Sequence, residues 1–243
     1  MIGAIKEWAS AALELVFPAD CAVCKGGREP GNRSMLCGKC RGELRPLQRP
    51  FCERCSLPFD GAAGASFRCA HCADKVFAFE RAVCACRLTG VARDCIHRFK
   101  YNGALWLGPE LADLLIAAAR ERIEWGKVDC VVPVPLFRTR EREREFNQAE
   151  WFAQRLVRAL PAALSAGNLW RTRDTETQAF LNAAERTENV RGAFAVRRPA
   201  ELLRRRAVVV DDVFTTGATT NECARVLRAA GAASVMVLTL GRG

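Results

Sequence analysis

Histidine is nearly absent from this 243-residue chain: only His71 and His97 occur, and no Ser/His or Cys/His nucleophile pair is evident. Histidine-centred acid–base catalysis is therefore not the first expectation. Long apolar runs are missing as well. The most apolar stretch, residues 1–17, is interrupted by Lys6, Glu7 and Glu14, which spoils both an export h-region and a membrane span. Its Ile2, Ile5, Ala9, Ala12, Leu13 and Val16 follow helical spacing, so a short amphipathic helix packing on its own domain is expected. The chain is expected to be cytoplasmic, without membrane insertion. Lysine is scarce too, at 6 against 31 Arg, yet the formal charge is +10. Residues 1–80 hold 11 Lys/Arg against 9 Asp/Glu, so the remaining +8 lies in residues 81–243. Such an excess suits a polyanionic partner, either a phosphate ester or a nucleic acid.

Cysteine is abundant, and it is placed unevenly. Eight of the thirteen form four CxxC pairs, Cys21/Cys24, Cys37/Cys40, Cys52/Cys55 and Cys69/Cys72. The segment around them, residues 18–75, has no sustained apolar periodicity and needs a staple to fold. Two CxxC turns complete a tetrahedral sulfur shell, so one or two structural Zn²⁺ ions are expected. Sequential pairing is simplest, although a crossed pairing is open and His71 could replace one thiolate. A disulfide framework would require an oxidising compartment, and no export signal supports one. Loss of the metal is expected to unfold residues 18–75 before the rest of the chain. Cys84, Cys86, Cys95, Cys130 and Cys223 fall in apolar or helical settings and read as small buried hydrophobes.

From about residue 77 strands and helices alternate. Strands are expected at residues 82–88, 130–134, 206–211 and 234–240, and helices at 105–123, 147–160 and 218–230, with Gly231 as a stop. This rhythm implies an α/β fold with a mainly parallel sheet flanked by helices. The expected division is 1–76, an N-terminal helix and Cys-rich zinc-ribbon domain, and 77–243, the α/β domain.

The densest chemical signal is Val-Val-Val-Asp-Asp-Val-Phe-Thr-Thr-Gly-Ala-Thr at residues 208–219. A strand ending in Asp211 and Asp212 would deliver two carboxylates to the sheet's C-terminal edge, where α/β proteins bind ligands. The hydroxyl-rich turn of Thr215, Thr216, Gly217, Ala218 and Thr219 then opens a helix whose free N–H groups suit a phosphate. The carboxylates suit ribose hydroxyls.

This motif resembles the phosphoribosyl-pyrophosphate signature of type I phosphoribosyltransferases, and with the Cys-rich start the whole chain resembles the competence-associated ComF family. Val131-Val-Pro-Val-Pro-Leu136 is similar to the family's strand and pyrophosphate loop, and Phe146-Asn-Gln-Ala149 to its helix start. Arg140 and Arg144 form the basic approach to that start. Gln178, Leu181, Glu185-Arg186 and Asn189-Val-Arg-Gly-Ala-Phe194 resemble the block with the mobile loop, and His97 to Tyr101, which includes Lys100, the Lys-Tyr element. The resemblance implies a double zinc ribbon joined to a phosphoribosyltransferase-like domain. It implies Asp211 and Asp212 on the ribose hydroxyls and residues 215–219 on the 5′-phosphate. Pro133, Val134, Pro135 and Leu136 would approach the pyrophosphate, which leaves under Mg²⁺. One position departs from the family: Glu145 stands where Gly is usual, a carboxylate beside the pyrophosphate pocket that Arg142 or Arg144 would need to neutralise.

The expected function is that of a phosphoribosyltransferase-like protein linked to DNA uptake or use, its acceptor unidentified. The alternative is a non-catalytic accessory protein that binds single-stranded DNA and works with the DNA-uptake machinery. In that case the nucleotide site is regulatory or vestigial. The Arg-rich segments 138–144 and 195–206, with Phe137, Phe146, Trp151 and Trp170 nearby, are where such DNA would lie.

Overall fold

A computed structural model describes residues 20–29, 34–61, 67–101, 103–176 and 181–243. The expected helix of residues 1–17 and Gln178 lie outside the described residues. The Cys-rich segment contributes two short helices, α1 (Gly38–Glu43) and α2 (Ala70–Ala73), each opening directly after a cysteine. Then come β1 (Ala82–Arg87), α3 (Gly90–Tyr101), α4 (Gly108–Arg122), β2 (Cys130–Pro133), α5 (Arg138–Arg144) and α6 (Gln148–Ala159). β3 (Ala163–Leu164), β4 (Leu169–Arg171), α7 (Ala183–Val190), β5 (Phe194–Val196), β6 (Arg206–Phe214), α8 (Ala218–Ala229) and β7 (Ser234–Arg242) complete the order.

Five strands form one parallel sheet in the order β1-β7-β6-β2-β3. β4 and β5 pair antiparallel as a separate two-stranded ribbon. Parallel strands are buried on both faces, and the central strand shows it residue by residue. Val208 and Val210 face a core built with α3, α4 and α6, while Ala207 and Val209 face one built with α8 and the β4–β5 ribbon. Each group of cysteines joins one of these cores. Cys21 and Cys40 pack with the first, and Cys52, Cys55, Cys69 and Cys72 with the second.

Two differences from the sequence reading bear on function. The stretch 105–123 is not one helix: a 3₁₀ turn, Leu105–Leu107, precedes α4. Pro109 explains the break, because a residue without an N–H is accommodated only in a helix's first turn. More important, β6 does not stop at the acidic pair. It runs on to Phe214, because β7 extends alongside it and pairs Asp211 with Thr239, Val213 with Gly241 and Phe214 with Arg242. The two carboxylates are thus held in hydrogen-bonded strand backbone.

Candidate functional site: two sulfur shells and a cationic cleft at the strand ends

The thiols gather sequentially. Cys21, Cys24, Cys37 and Cys40 form one group and Cys52, Cys55, Cys69 and Cys72 the other, with the sulfurs of each group within 4.8 Å of one another. Cys24 and Cys37 Sγ are 3.7 Å apart, and Cys55 and Cys69 Sγ 3.6 Å. A tetrahedral shell with Zn–S near 2.3 Å places sulfurs roughly 3.8 Å apart, whereas a disulfide needs about 2.05 Å. Both groups therefore fit structural zinc. Burial opposes ionisation of Cys21 and Cys52, but backbone N–H donors outweigh it and bring them to about 6 and about 7. Those donors come from Cys37, Cys24 and Val23 around Cys21, and from Cys69, Cys55 and Arg54 around Cys52. His71 belongs to neither shell. Its Nε2 lies 3.4 Å from the Thr216 carbonyl instead, so the second ribbon touches the turn after β6.

At the C-terminal ends of β2 and β6 a cleft of about 330 Å³ opens. Six cations line it: Arg93, Lys100, Arg140, Arg144, Arg171 and Arg186, against Glu176, Asp211 and Asp212. Lys100 Nζ stands 2.7 Å from Asp212 Oδ2. Burial would lower the Lys100 ammonium, but the Asp212 carboxylate overrides it and the net direction is upward. Asp211 has no such ion pair among the described residues. Burial, then repulsion from Asp212, pushes its carboxyl up to about 7. Arg171 is pushed down by burial and by Arg140, and its Nε is buried without a hydrogen-bond partner among the described residues. Arg186 donates to Thr215 Oγ1 at 3.0 Å and, through Nε, to the Leu181 carbonyl at 2.8 Å. A pocket so crowded with cations is built for an anion carrying several charges.

Gly217 is required here, for a reason the sequence did not show. It adopts φ +79° as the residue before α8, and a Cβ would come within 2.6 Å of the Phe214 ring. Any side chain would strike that ring before it reached a ligand. Phe214 itself is tied to the second ribbon through β7. The buried Arg242 guanidinium donates to the Phe214 carbonyl at 3.3 Å and to the Cys55 carbonyl at 2.9 Å.

Of the residues singled out from the sequence, Lys100, Val134, Arg140, Arg144, Asp211, Asp212, Thr215 and Thr219 line the cleft. Pro133, Pro135, Leu136, Thr216, Gly217 and Ala218 do not line it; they shape the backbone beside it. Val134 is bound from both sides, its N–H donating to Val210 and its carbonyl accepting from the Asn147 amide at 3.0 Å. Arg171 escapes sequence reasoning. It reads as one more Arg in a basic stretch, and only the two-residue period of β4 puts it on the same side as buried Leu169. Arg93 and Glu176 line the cleft too, with no motif to single them out.

Glu145 occupies an unusual backbone position. It ends α5 in the left-handed region at φ +65°, its side chain is exposed, and among the described residues it forms no ion pair. A Gly at this place would adopt the left-handed conformation without strain.

This geometry has two measurable outcomes. Purified protein should carry two Zn²⁺, and Cys52→Ser should lose one. Because that shell shares a core with the central sheet, the variant should unfold in one transition at lower temperature, instead of shedding residues 18–75 first. Calorimetry with metal analysis checks it; a ribbon melting alone would contradict it. Glu145→Gly should stabilise the protein by about 1 kcal/mol through relief of left-handed strain, seen as a higher urea midpoint at unchanged slope.

Known proteins resemble both the Cys-rich segment and the whole chain. The double zinc ribbon domain family matches residues 12–73. Competence protein F of Haemophilus influenzae is 30% identical over 85% of this chain and 96% of its own. DNA utilization protein YhgH of Escherichia coli is 32% identical over 94% and 99%. Competence protein ComFC of Streptococcus pneumoniae is 26% identical over 79% and 74%. Among solved structures, the allosteric regulatory enzyme of purine biosynthesis aligns with 53% of this chain and only 25% of its own, at 24% identity and a TM-score of 0.33. With four-fifths or more of the chain aligned to relatives at 30% and 32% identity, the protein belongs to the ComF family.

Proposed function

We infer that the cleft binds phosphoribosyl pyrophosphate and that the protein transfers its phosphoribosyl group in a process of DNA uptake or use. The observation that carries this reading is the placement of Asp211 and Asp212 on the last half of β6, amid six cations and close to the Thr215 turn. Asp211 and Asp212 accept hydrogen bonds from the ribose hydroxyls. Thr215, Thr219 and the first N–H groups of α8 take the 5′-phosphate, and Arg140, Arg144 and Arg171 face the pyrophosphate. Mg²⁺ bound to the substrate would supply further positive charge at the leaving group. The chain's own contribution is electrostatic: it stabilises charge as pyrophosphate departs and needs no nucleophile. The link to DNA rests on relatives named for competence and for DNA utilization.

Asp211 carries a testable conflict between binding and stability. Its folded pKa, about 7, lies above the usual value of 3.8. Between those values the folded chain holds a proton that the unfolded chain has released, so stability falls as pH rises from about 4 to about 7. Asp211→Asn should therefore melt above the wild type at pH 8, with the advantage vanishing toward pH 4. The same variant, and Asp212→Asn, should bind phosphoribosyl pyrophosphate more weakly. A hydrogen bond to a charged acceptor is worth roughly 1.5–3 kcal/mol, which is about tenfold to a hundredfold in affinity. Wild-type affinity should rise from pH 6 to pH 8 as Asp211 ionises. Calorimetric titration reads all three, and unchanged binding in both variants would refute the site.

A second reading, direct binding of single-stranded DNA, is favoured by one specific feature. Trp170 on β4 is 36% exposed and Arg197 stacks over its ring at 5.3 Å, an aromatic–cation pair of the kind on which bases stack. Oligothymidine affinity should fall steeply with salt and about tenfold in Trp170→Ala. Undetectable binding at low ionic strength would remove this reading.

A further inference from the structure

A second cavity, of about 1060 Å³, opens between the second ribbon and the C-terminal end of α4, and shares no residue with the strand-end cleft. Phe51, Arg54 and Arg68 line it from the ribbon, and Arg120, Arg122 and Ile123 from α4 and its cap. Glu80 and Arg81, which lead into β1, line it as well, so it lies where that strand begins. Its walls are pinned to the sheet. The Leu47 N–H donates to the Ala85 carbonyl at 2.7 Å, and the Ala82 N–H to the Arg54 carbonyl at 2.8 Å.

Six guanidiniums meet four carboxylates here, and the pairs they form leave positive charge over. Glu53 pairs with Arg49 at 3.7 Å, and Glu124 turns to Lys127, outside the cavity, at 2.6 Å. Only Glu80 and Glu121 then stand against Arg54, Arg68, Arg81, Arg120 and Arg122, and among the described residues none of these five forms an ion pair. Three of them are held by uncharged partners instead. Arg54 donates to the Phe77 carbonyl at 3.1 Å and Arg81 to the Arg122 carbonyl at 2.5 Å. Arg122 donates to the Cys84 carbonyl at 2.9 Å and to Ser56 Oγ at 2.6 Å. Such partners fix a guanidinium in place without cancelling its charge, and most of its five N–H donors stay available. Burial, and repulsion from Arg81 and Arg49, push the Arg122 guanidinium down. Like charges ordered around a hollow focus potential there and draw in an anion.

We propose that this cavity is a second anion site, which takes a linear triphosphate, either free polyphosphate or the tail of a nucleoside triphosphate. The site stands apart from the phosphoribosyl-pyrophosphate reading and does not depend on it. Forked donors on three segments suit an anion with several phosphate groups over a single one, because each group can accept from a different guanidinium. Arg54 and Arg68 hold it from the ribbon, Arg120 from α4 and Arg81 from the approach to β1. The anion thereby ties the ribbon to the sheet. Phe51 offers no free face for stacking, since the Arg122 and Arg49 guanidiniums lie 4.1 Å and 5.3 Å from its ring. Recognition therefore rests on the phosphates.

Arg68, Arg81 and Arg120 are exposed, so phenylglyoxal, which labels accessible guanidiniums, reports on each when the full-length protein is read by mass spectrometry. Tripolyphosphate should protect all three along one saturation curve. Adenosine triphosphate should do the same, and adenosine should protect none. Whichever of the two protects at lower concentration identifies the source of the triphosphate. Arg68→Ala and Arg120→Ala should each raise the concentration that half-protects Arg81 about tenfold. Both should leave the labelling of Arg144, in the strand-end cleft, as in the wild type. Arg81 labelled equally with and without both triphosphates would overturn the proposal. So would protection matched by sodium chloride at equal ionic strength, or an undiminished response in both variants.

Discussion

Two neighbouring carboxylates within a strand packed on both faces repel each other, and the ammonium of Lys100 makes the arrangement tolerable. The 2.7 Å pair with Asp212 sets much of what surrounds it. It fixes where α3 must lie relative to β6, and so orients the helix face that carries Arg93, His97 and Tyr101. It divides the acidic pair into unequal members, one neutralised and the other raised to about 7. Of the remaining five cations of the cleft, Arg140 pairs with Asp174 at 3.6 Å, while Arg93, Arg144, Arg171 and Arg186 form no ion pair among the described residues, an imbalance that a multiply charged anion would correct.

The parts of this design that were legible in the sequence are those carried by spacing. Four CxxC pairs announced two sulfur shells, and the structure chose the sequential pairing by bringing each set within 4.8 Å. The β–α rhythm announced a parallel sheet because each buried strand and each amphipathic helix keeps its own period. Less legible was anything decided by a neighbour far along the chain. Whether β6 ends at Asp211 or at Phe214 depends on how far β7 runs beside it, which the local residues do not encode. The need for Gly217 comes from the Phe214 ring folding beneath it. Arg171 became visible only once β4 had a partner in β5 to give it a face. Glu145 was legible as an anomaly of charge, yet its backbone at φ +65° is the larger irregularity.

The ribbons also serve a purpose beyond their metal. Each docks on one side of the sheet, and the second reaches the turn after β6 twice, through His71 at Thr216 and through the Arg242 side chain of β7, which bridges Cys55 and Phe214. A small segment without a core of its own thereby adds a second brace to a turn that Arg186 already holds at Thr215. The sheet is joined in the same non-local way, with β1 paired to β7 and β2 to β6.

One of those non-local contacts has a consequence during synthesis. The Cys55 carbonyl and the Arg242 guanidinium that caps it are 187 residues apart. At ribosomal speeds of about 5–20 residues per second, the cysteines of the second ribbon emerge roughly ten to forty seconds before the strand that completes their surroundings. In that interval their thiols are open to oxidation and to competing metals. A cell short of zinc, or under oxidant stress, would damage the newborn chain far more readily than the finished one.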